Sequence, residues 1–169
     1  MANDAHPEQA RISAICISPT AGAPMRAVGR VALIAGRGLA GDRYASDTGA
    51  YSKPGPGPVR HVTFIAEEGI TKANKSLRLR GLEKFSALDT RRNLIVAGMP
   101  ADDLNALVGR EFSFGSGRFR GVELAEPCVR PGRLLRRGGF EEAFDGMGGL
   151  RAEVLAGEEL AVGDEFSPG

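Results

Sequence analysis

Glycine and proline interrupt this chain so often that only short regular elements fit between them. With 24 Gly and 10 Pro in 169 residues, the apolar runs that remain are brief and rich in β-branched side chains, which favours a turn-rich β architecture. RISAICISP (11–19) sets Ile12, Ala14 and Cys16 against Ser13, Ile15 and Ile17, so it reads as a strand with both faces mostly buried. RAVGRVALIA (26–35) predicts a second strand, stopped by the glycines of GRGLAG, and HVTFIA (61–66) and RRNLIVAG (91–98) predict two more. Downstream, REFSF and GRFRGVELA form a hairpin-like pair around GSG, and LRAEVLAGEELAVGDEF predicts another around AGEE. Two helices interrupt the strands. In AEEGITKANKSL, Glu67 and Glu68 occupy the first turn and Ile70, Ala73 and Leu77 mark one face. In PADDLNALVG (100–109), Asp102 or Asp103 is the expected N-cap and Gly109 the stop. Strands and helices do not alternate as βαβ units, so the expected fold is mostly β with inserted helices, a β-barrel or folded-over sheet. One domain is expected over residues 11–169, behind a loose tail of residues 1–10.

Charge narrows the function classes. A net charge of +1, 8 Phe, 2 Tyr and no Trp supply neither the field nor the stacking platforms of a nucleic-acid binder, and no polybasic attraction to a membrane surface. No run approaches the length of a transmembrane helix, and MANDAHPEQA lacks an apolar signal core. Cys16 and Cys128 are too far apart for a CxxC motif, and a secreted disulfide framework needs more cysteines, so a reducing cytoplasm is expected. Of 22 basic residues only Lys53, Lys72, Lys75 and Lys84 are not Arg. That bias suits planar recognition of phosphate or carboxylate, and it also follows from a GC-rich genome.

Any anion site must therefore be local, and several motifs compete for it. GRGLAG (36–41) matches GxGxxG, but the chain continues into DRYASDTGAY and PGPGP instead of a helix, so its glycines read as a tight turn with positive φ. The segment DRYASDTGAYSKPGPGPVR has no periodicity and predicts a long mobile loop with a binding or lid role. In GDRY, Asp42 reads as a turn cap and Arg43 as a surface residue. Arg91, Arg92 and Asn93 enter a buried strand, where they are either its solvated end or contacts to an anion or heterocycle edge. His61 lacks ligand partners at metal spacing and His6 lies in the tail, which leaves a zinc hydrolase unsupported. Cys128, in LAEPCVRPG, differs from Cys16 because it is not in an apolar run. Pro127 and Pro131 flank it with Cys128 closer to the first, an arrangement expected to exclude a regular helix or central strand there. Arg130, Arg133, Arg136 and Arg137 follow, and such charge lowers a thiol pKa, while Glu126 opposes it. Structural and reactive readings of Cys128 both stand on these grounds, and no Ser-His-Asp or Cys-His pairing accompanies it.

The order GLAGDRY, HVTFIAEE, TRRNLIVAG, VGREFSFG, EPC and GGLRAEVLAGEELAVGDEF resembles the MOSC domain, the family named for the C-terminal domain of molybdenum cofactor sulfurases. The resemblance spans about residues 25–166 and is to a stand-alone bacterial member. It implies a fold similar to the pyruvate kinase β-barrel domain with helices packed outside. It also implies that Cys128 carries sulfur as a persulfide or binds molybdenum, with molybdenum cofactor (molybdopterin) as the ligand. The family's GDR turn falls on Gly41, Asp42 and Arg43, its RRN on Arg91, Arg92 and Asn93, and its late glycine pair on Gly148 and Gly149. With Arg130 beside the cysteine, these are the candidate cofactor contacts. Many relatives have His where this chain has Tyr44. The implied activity is sulfur transfer or molybdenum-dependent reduction of N-hydroxylated compounds, with a redox or sulfur-donor protein as partner. The alternative is a non-catalytic pterin or anion carrier that delivers cofactor to a partner. Pyridoxal phosphate, attached to the family through fused sulfurases, requires a Schiff-base lysine, and none of the four lysines suits that role.

Overall fold

A computed structural model describes residues 8–52, 55 and 59–169. From the N-terminus, β1 (Arg11–Ile17) is followed by β2 (Arg26–Val28), β3 (Arg30–Ile34) and β4 (Gly38–Leu39). A long segment then leads to β5 (Val62–Ala66), α1 (Glu67–Leu79) and β6 (Leu94–Ala97). The second half holds α2 (Ala101–Asn105), β7 (Glu111–Phe114), β8 (Gly117–Leu124), α3 (Arg130–Leu135), α4 (Phe140–Ala143), β9 (Leu150–Ala156), β10 (Glu159–Ala161) and β11 (Phe166–Pro168). No helix among the described residues is long and apolar enough to cross a membrane.

VTFIA and LIVA, buried at every residue, lie at the centre of the main sheet. β5 and β6 pair in parallel with Phe64 opposite Leu94, and α1 makes the crossover between them. Continuous apolar runs are what a strand covered on both faces requires. Eight strands form the main sheet, in the order β11-β7-β8-β9-β5-β6-β1-β2, and β10-β3-β4 form a smaller one. One face of the main sheet meets a cluster in which Phe64 packs against Phe112, Phe114 and Phe119 at ring separations of 5.4, 5.7 and 5.2 Å. On the other face α1 inserts Ile70, Ala73 and Leu77 beside Phe85, Phe140, Phe144 and Cys16. Burial of Cys16 pushes its thiol up to about 11.

Mostly β with inserted helices describes the fold, but the expected closed barrel does not form. β2 and β11 are free edges of the main sheet, and between β1 and the end of the chain there is a single isolated bridge, Arg11 to Glu165. The second predicted hairpin is also absent. β10 turns away from β9 to pair with β3, Leu160 opposite Val31, and β11 pairs with β7. Two short helices, α3 and α4, follow the Cys128 segment. Cys128 itself lies outside every helix and strand, as expected between the two prolines, and Pro131 sits in the first turn of α3, where its missing N–H costs no hydrogen bond. The N-cap of α2 is Pro100, and Asp102 and Asp103 fall in its first turn. The Ala101 N–H donates instead to Glu68 Oε2, 3.1 Å away.

Of the expected tail, residues 1–7 lie outside the described residues. Gln9 Nε2 donates to Phe166 O, and Ala10 O accepts from Phe166 N. Of the long loop before β5, residues 53, 54 and 56–58 likewise lie outside.

Candidate functional site

The site is assembled where four stretches of backbone meet. In the first, Gly41 adopts φ 80° and turns the chain so that Asp42 points inward. Asp42 is fully buried. Its Oδ1 accepts from Ser18 N at 3.1 Å and from Arg43 Nη1 at 3.0 Å, and its Oδ2 accepts from Tyr44 N at 3.2 Å. The carboxylate is thus spent on holding the turn and Arg43. Arg43 is buried, not on the surface, and its Nη2 donates to Arg91 O at 3.2 Å. Tyr44 lies under the same guanidinium, 4.7 Å from its centre.

Arg91, Arg92 and Asn93 lead into β6, and each points to a different place. Arg91 is in the left-handed region, φ 60°, after a 3₁₀ turn over Leu88–Thr90. Its Nη1 donates to Ala23 O at 2.9 Å, while its Nη2 is buried without a partner. Burial, then the charges of Arg43 and Arg130, push Arg91 below the ordinary guanidinium range. Arg92 donates from Nε to Gly148 O at 2.6 Å and from Nη2 to Ala125 O at 3.1 Å. Burial, and next the nearby Arg151, push it down to about 10. Asn93 is fully buried and joins strands: its Oδ1 accepts from the N and Oγ1 of Thr63, and its Nδ2 donates to Cys16 O.

The glycine pair explains how the remaining stretches come close. A Cβ at Gly148 would stand 2.2 Å from Ala125 O, and one at Gly149, where φ is 102°, would stand 2.0 Å from Phe64 O. Only glycine lets β9 begin against both β5 and the segment that follows β8. The Ala125 N–H donates to Gly149 O at 2.8 Å, which fixes the start of the EPC segment. Cys128 follows, half-buried, just ahead of α3.

These pieces enclose a cavity of about 250 Å³. Cys128 lines it together with Arg43, Arg91, Arg92, Arg130 and a fifth arginine, Arg151 of β9. Tyr44, Tyr51, Thr63 and Glu126 complete the polar part of the wall. Against five guanidinium groups the described wall holds one carboxylate, Glu126; Asp42 is committed to Arg43, and Glu123 stands outside the wall, 3.7 Å from Arg151 Nε. Buried donors without acceptors are costly, roughly 1–3 kcal/mol each. Arg91 Nη2 is in that condition; Arg151 Nε makes no hydrogen bond but has the Glu123 carboxylate 3.7 Å away. The arrangement can bind an anion in contact with a sulfur atom. Among the described residues, no three His, Cys, Asp or Glu side chains converge to hold a metal ion by themselves.

Of the residues singled out in the sequence, Cys128, Arg43, Arg91, Arg92 and Arg130 line the cavity. Asp42, Asn93, Gly148 and Gly149 stand behind it and shape it. Arg151 and Tyr51 were not foreseen. The alternation Leu150, Ala152, Val154 placed Arg151 on the face away from the core, which was a usable signal. Tyr51 sits in the aperiodic segment expected as a whole to have a binding or lid role, and nothing marked this residue within it.

The MOSC domain family model matches residues 53–167. Among solved structures, the YuaD protein from Bacillus subtilis is 20% identical with a TM-score of 0.73, covering 94% of this chain and 94% of that one. YiiM from Escherichia coli is 16% identical with a TM-score of 0.65, covering 94% of this chain and 69% of its own. YiiM from Geobacillus stearothermophilus is 15% identical with a TM-score of 0.68, covering 95% and 75%. At these identities the likeness is one of fold. No curated protein matches the chain.

Proposed function

Because this chain belongs to the MOSC domain family, we propose that it binds molybdenum cofactor in the Cys128 cavity. With it the protein either transfers sulfur or reduces N-hydroxylated compounds, supplied by a redox or sulfur-donor protein. The observation that carries this reading is the convergence of five arginines on one half-buried thiol, with the buried Arg91 Nη2 lacking an acceptor. A pterin that bears a phosphate and a dithiolene-held metal needs a soft thiolate and guanidinium donors, and the wall offers both. Among the described residues no cluster could hold a metal unaided, so Cys128 would be the protein's ligand to molybdenum and the cofactor would bring the others. When bound, the cofactor supplies two-electron redox chemistry and a site for exchangeable sulfur.

The chain's own residues have separate tasks in this reading. Arg91 uses its free N–H group on the anionic end of the ligand, and Arg151 adds positive charge to the wall. Arg92, tied to two carbonyl oxygens, contributes a fixed positive charge and does not move to meet the ligand. Arg43, neutralised by Asp42, holds the Arg91 carbonyl and so the turn that presents Arg91.

Protein purified from a cofactor-producing host is expected to contain molybdenum and pterin near one equivalent, and Cys128→Ser to lose the metal. Absence of metal from the wild type, or equal metal in the variant, overturns the proposal. Pterin that survives Cys128→Ser without loss, with no turnover of N-hydroxylated bases, identifies a carrier instead.

A further inference from the structure

The chain has only two tyrosines, Tyr44 and Tyr51, and both line the cavity that holds Cys128. They are placed differently. Tyr44 lies against Arg43. Tyr51 Oη lies 3.7 Å from Cys128 Sγ, within reach of a hydrogen bond to sulfur. The Tyr51 ring is gripped as well: the guanidinium of Arg60 is 5.2 Å from its centroid and that of Arg151 is 5.4 Å. Both arginines are in turn drawn to Glu123 Oε1, at 3.5 and 3.7 Å, and Glu123 stands opposite Arg151 in the β8–β9 register. A chain of contacts therefore runs from a rigid strand pair, through two guanidiniums and an aromatic ring, to the sulfur.

We infer that Tyr51 is a positioning residue for Cys128, its phenol hydroxyl donating to the sulfur and its ring, held by Arg60 and Arg151, fixing where that sulfur faces. A thiolate has no proton to give, so in the reactive form the phenol must be the donor. The hydrogen bond to Cys128, then burial, hold Tyr51 above the ordinary phenol range. The other charged or titratable groups on this cavity are Arg43 and Tyr44 from the first turn, Arg91 and Arg92 before β6, Glu126 and Arg130 on either side of the cysteine, and Arg151. This inference deepens the reading of Cys128 as the working thiol, but its test needs no cofactor, so the two fail separately.

The test is the pH profile of Cys128 alkylation by iodoacetamide in wild-type protein and in Tyr51→Phe, which keeps the ring and removes the donor. The midpoint is expected to rise by roughly half a unit to one unit, with no lower plateau at high pH, because a thiolate freed of its donor is the stronger nucleophile. A reciprocal measurement uses Tyr44→Phe, in which Tyr51 is the sole tyrosine. There, adding Cys128→Ala is expected to move the tyrosinate absorbance midpoint down. Superimposable alkylation profiles, or a tyrosinate midpoint unmoved by Cys128→Ala, overturn the inference. A role confined to loop packing would alter the melting temperature and leave both midpoints in place.

Discussion

The two cysteines of this chain show how differently one fold treats the same atom. Cys16 lies in β1, 1% exposed, between Ile65 and the apolar face of α1, and burial alone raises its thiol. Cys128 lies outside any strand, half-buried, with arginines from four segments around it and a phenol at its sulfur. Local sequence accounts for the first environment, since an alternating β-branched run is enough to bury a small apolar side chain. The second is made by long-range register. It requires Gly148 and Gly149 to bring β9 against β5, Arg92 to tie Gly148 to Ala125, and the GDR turn to reach Arg91.

The contrast is broken most directly by chemistry. In native protein, iodoacetamide is expected to modify Cys128 at least about 100-fold faster than Cys16, because the buried thiol reacts only through opening of the fold. Peptide mapping after partial alkylation measures this, and comparable labelling of the two sites would erase the distinction. Stability gives the next largest effect, with the opposite residue sensitive. Cys16→Ser places a hydroxyl among Ile65, Ile70 and Phe144 and is expected to cost about 2 kcal/mol in urea unfolding. Cys128→Ser, facing a polar cavity, is expected to stay within about 0.5 kcal/mol of wild type.

The same division governs how much could be read from the sequence. β1, β5, β6 and α1 were visible because their pattern is local: Ile70, Ala73 and Leu77 fall on one helical face whatever surrounds them. The β7–β8 hairpin was visible because its turn is short. The pairing of Leu160 with Val31 joins segments from opposite ends of the chain, and nothing within either stretch selects the other. That choice leaves edges where a barrel was expected. Six-residue α3 and four-residue α4 are too short to show a period, and Pro131, which helps keep regular structure away from Cys128, also starts α3. At the site, the EPC and RRN motifs led to the wall of the cavity. They could not reveal that Asn93 turns toward Thr63 and Cys16 while its neighbour Arg92 turns toward Gly148, because that divergence is the side-to-side alternation of a strand entering a sheet.

Arg91 sharpens the comparison on the Cys128 side. If its unpartnered Nη2 marks an anion position, inorganic phosphate is expected to raise the melting temperature of the wild type, and Arg91→Leu to weaken that apparent affinity roughly fivefold or more. The effect should fall with added salt, and phosphate that stabilises both proteins equally would remove the anion site from Arg91.

The smallest effect lies on the Cys16 side and is read through pH. The folded thiol is raised to about 11 from an ordinary value of 9.0, so between these values the unfolded chain has lost its proton and the native protein has kept it. Unfolding then releases a proton, and stability falls as pH rises through this window, having been fully present below it. Arg92 works in the opposite sense. Its folded value of about 10 lies below its ordinary 12.5, so above about 10 the unfolded chain binds the extra proton and stability gains. Total stability therefore conceals the thiol, and the difference between wild type and Cys16→Ala isolates it because every other group cancels. That difference is expected to shift by about 1 kcal/mol against the wild type between pH 8 and pH 10. A difference that stays flat across that interval would mean that Cys16 meets water or a charge in the folded state, and the two cysteines would be less unlike than their surroundings imply.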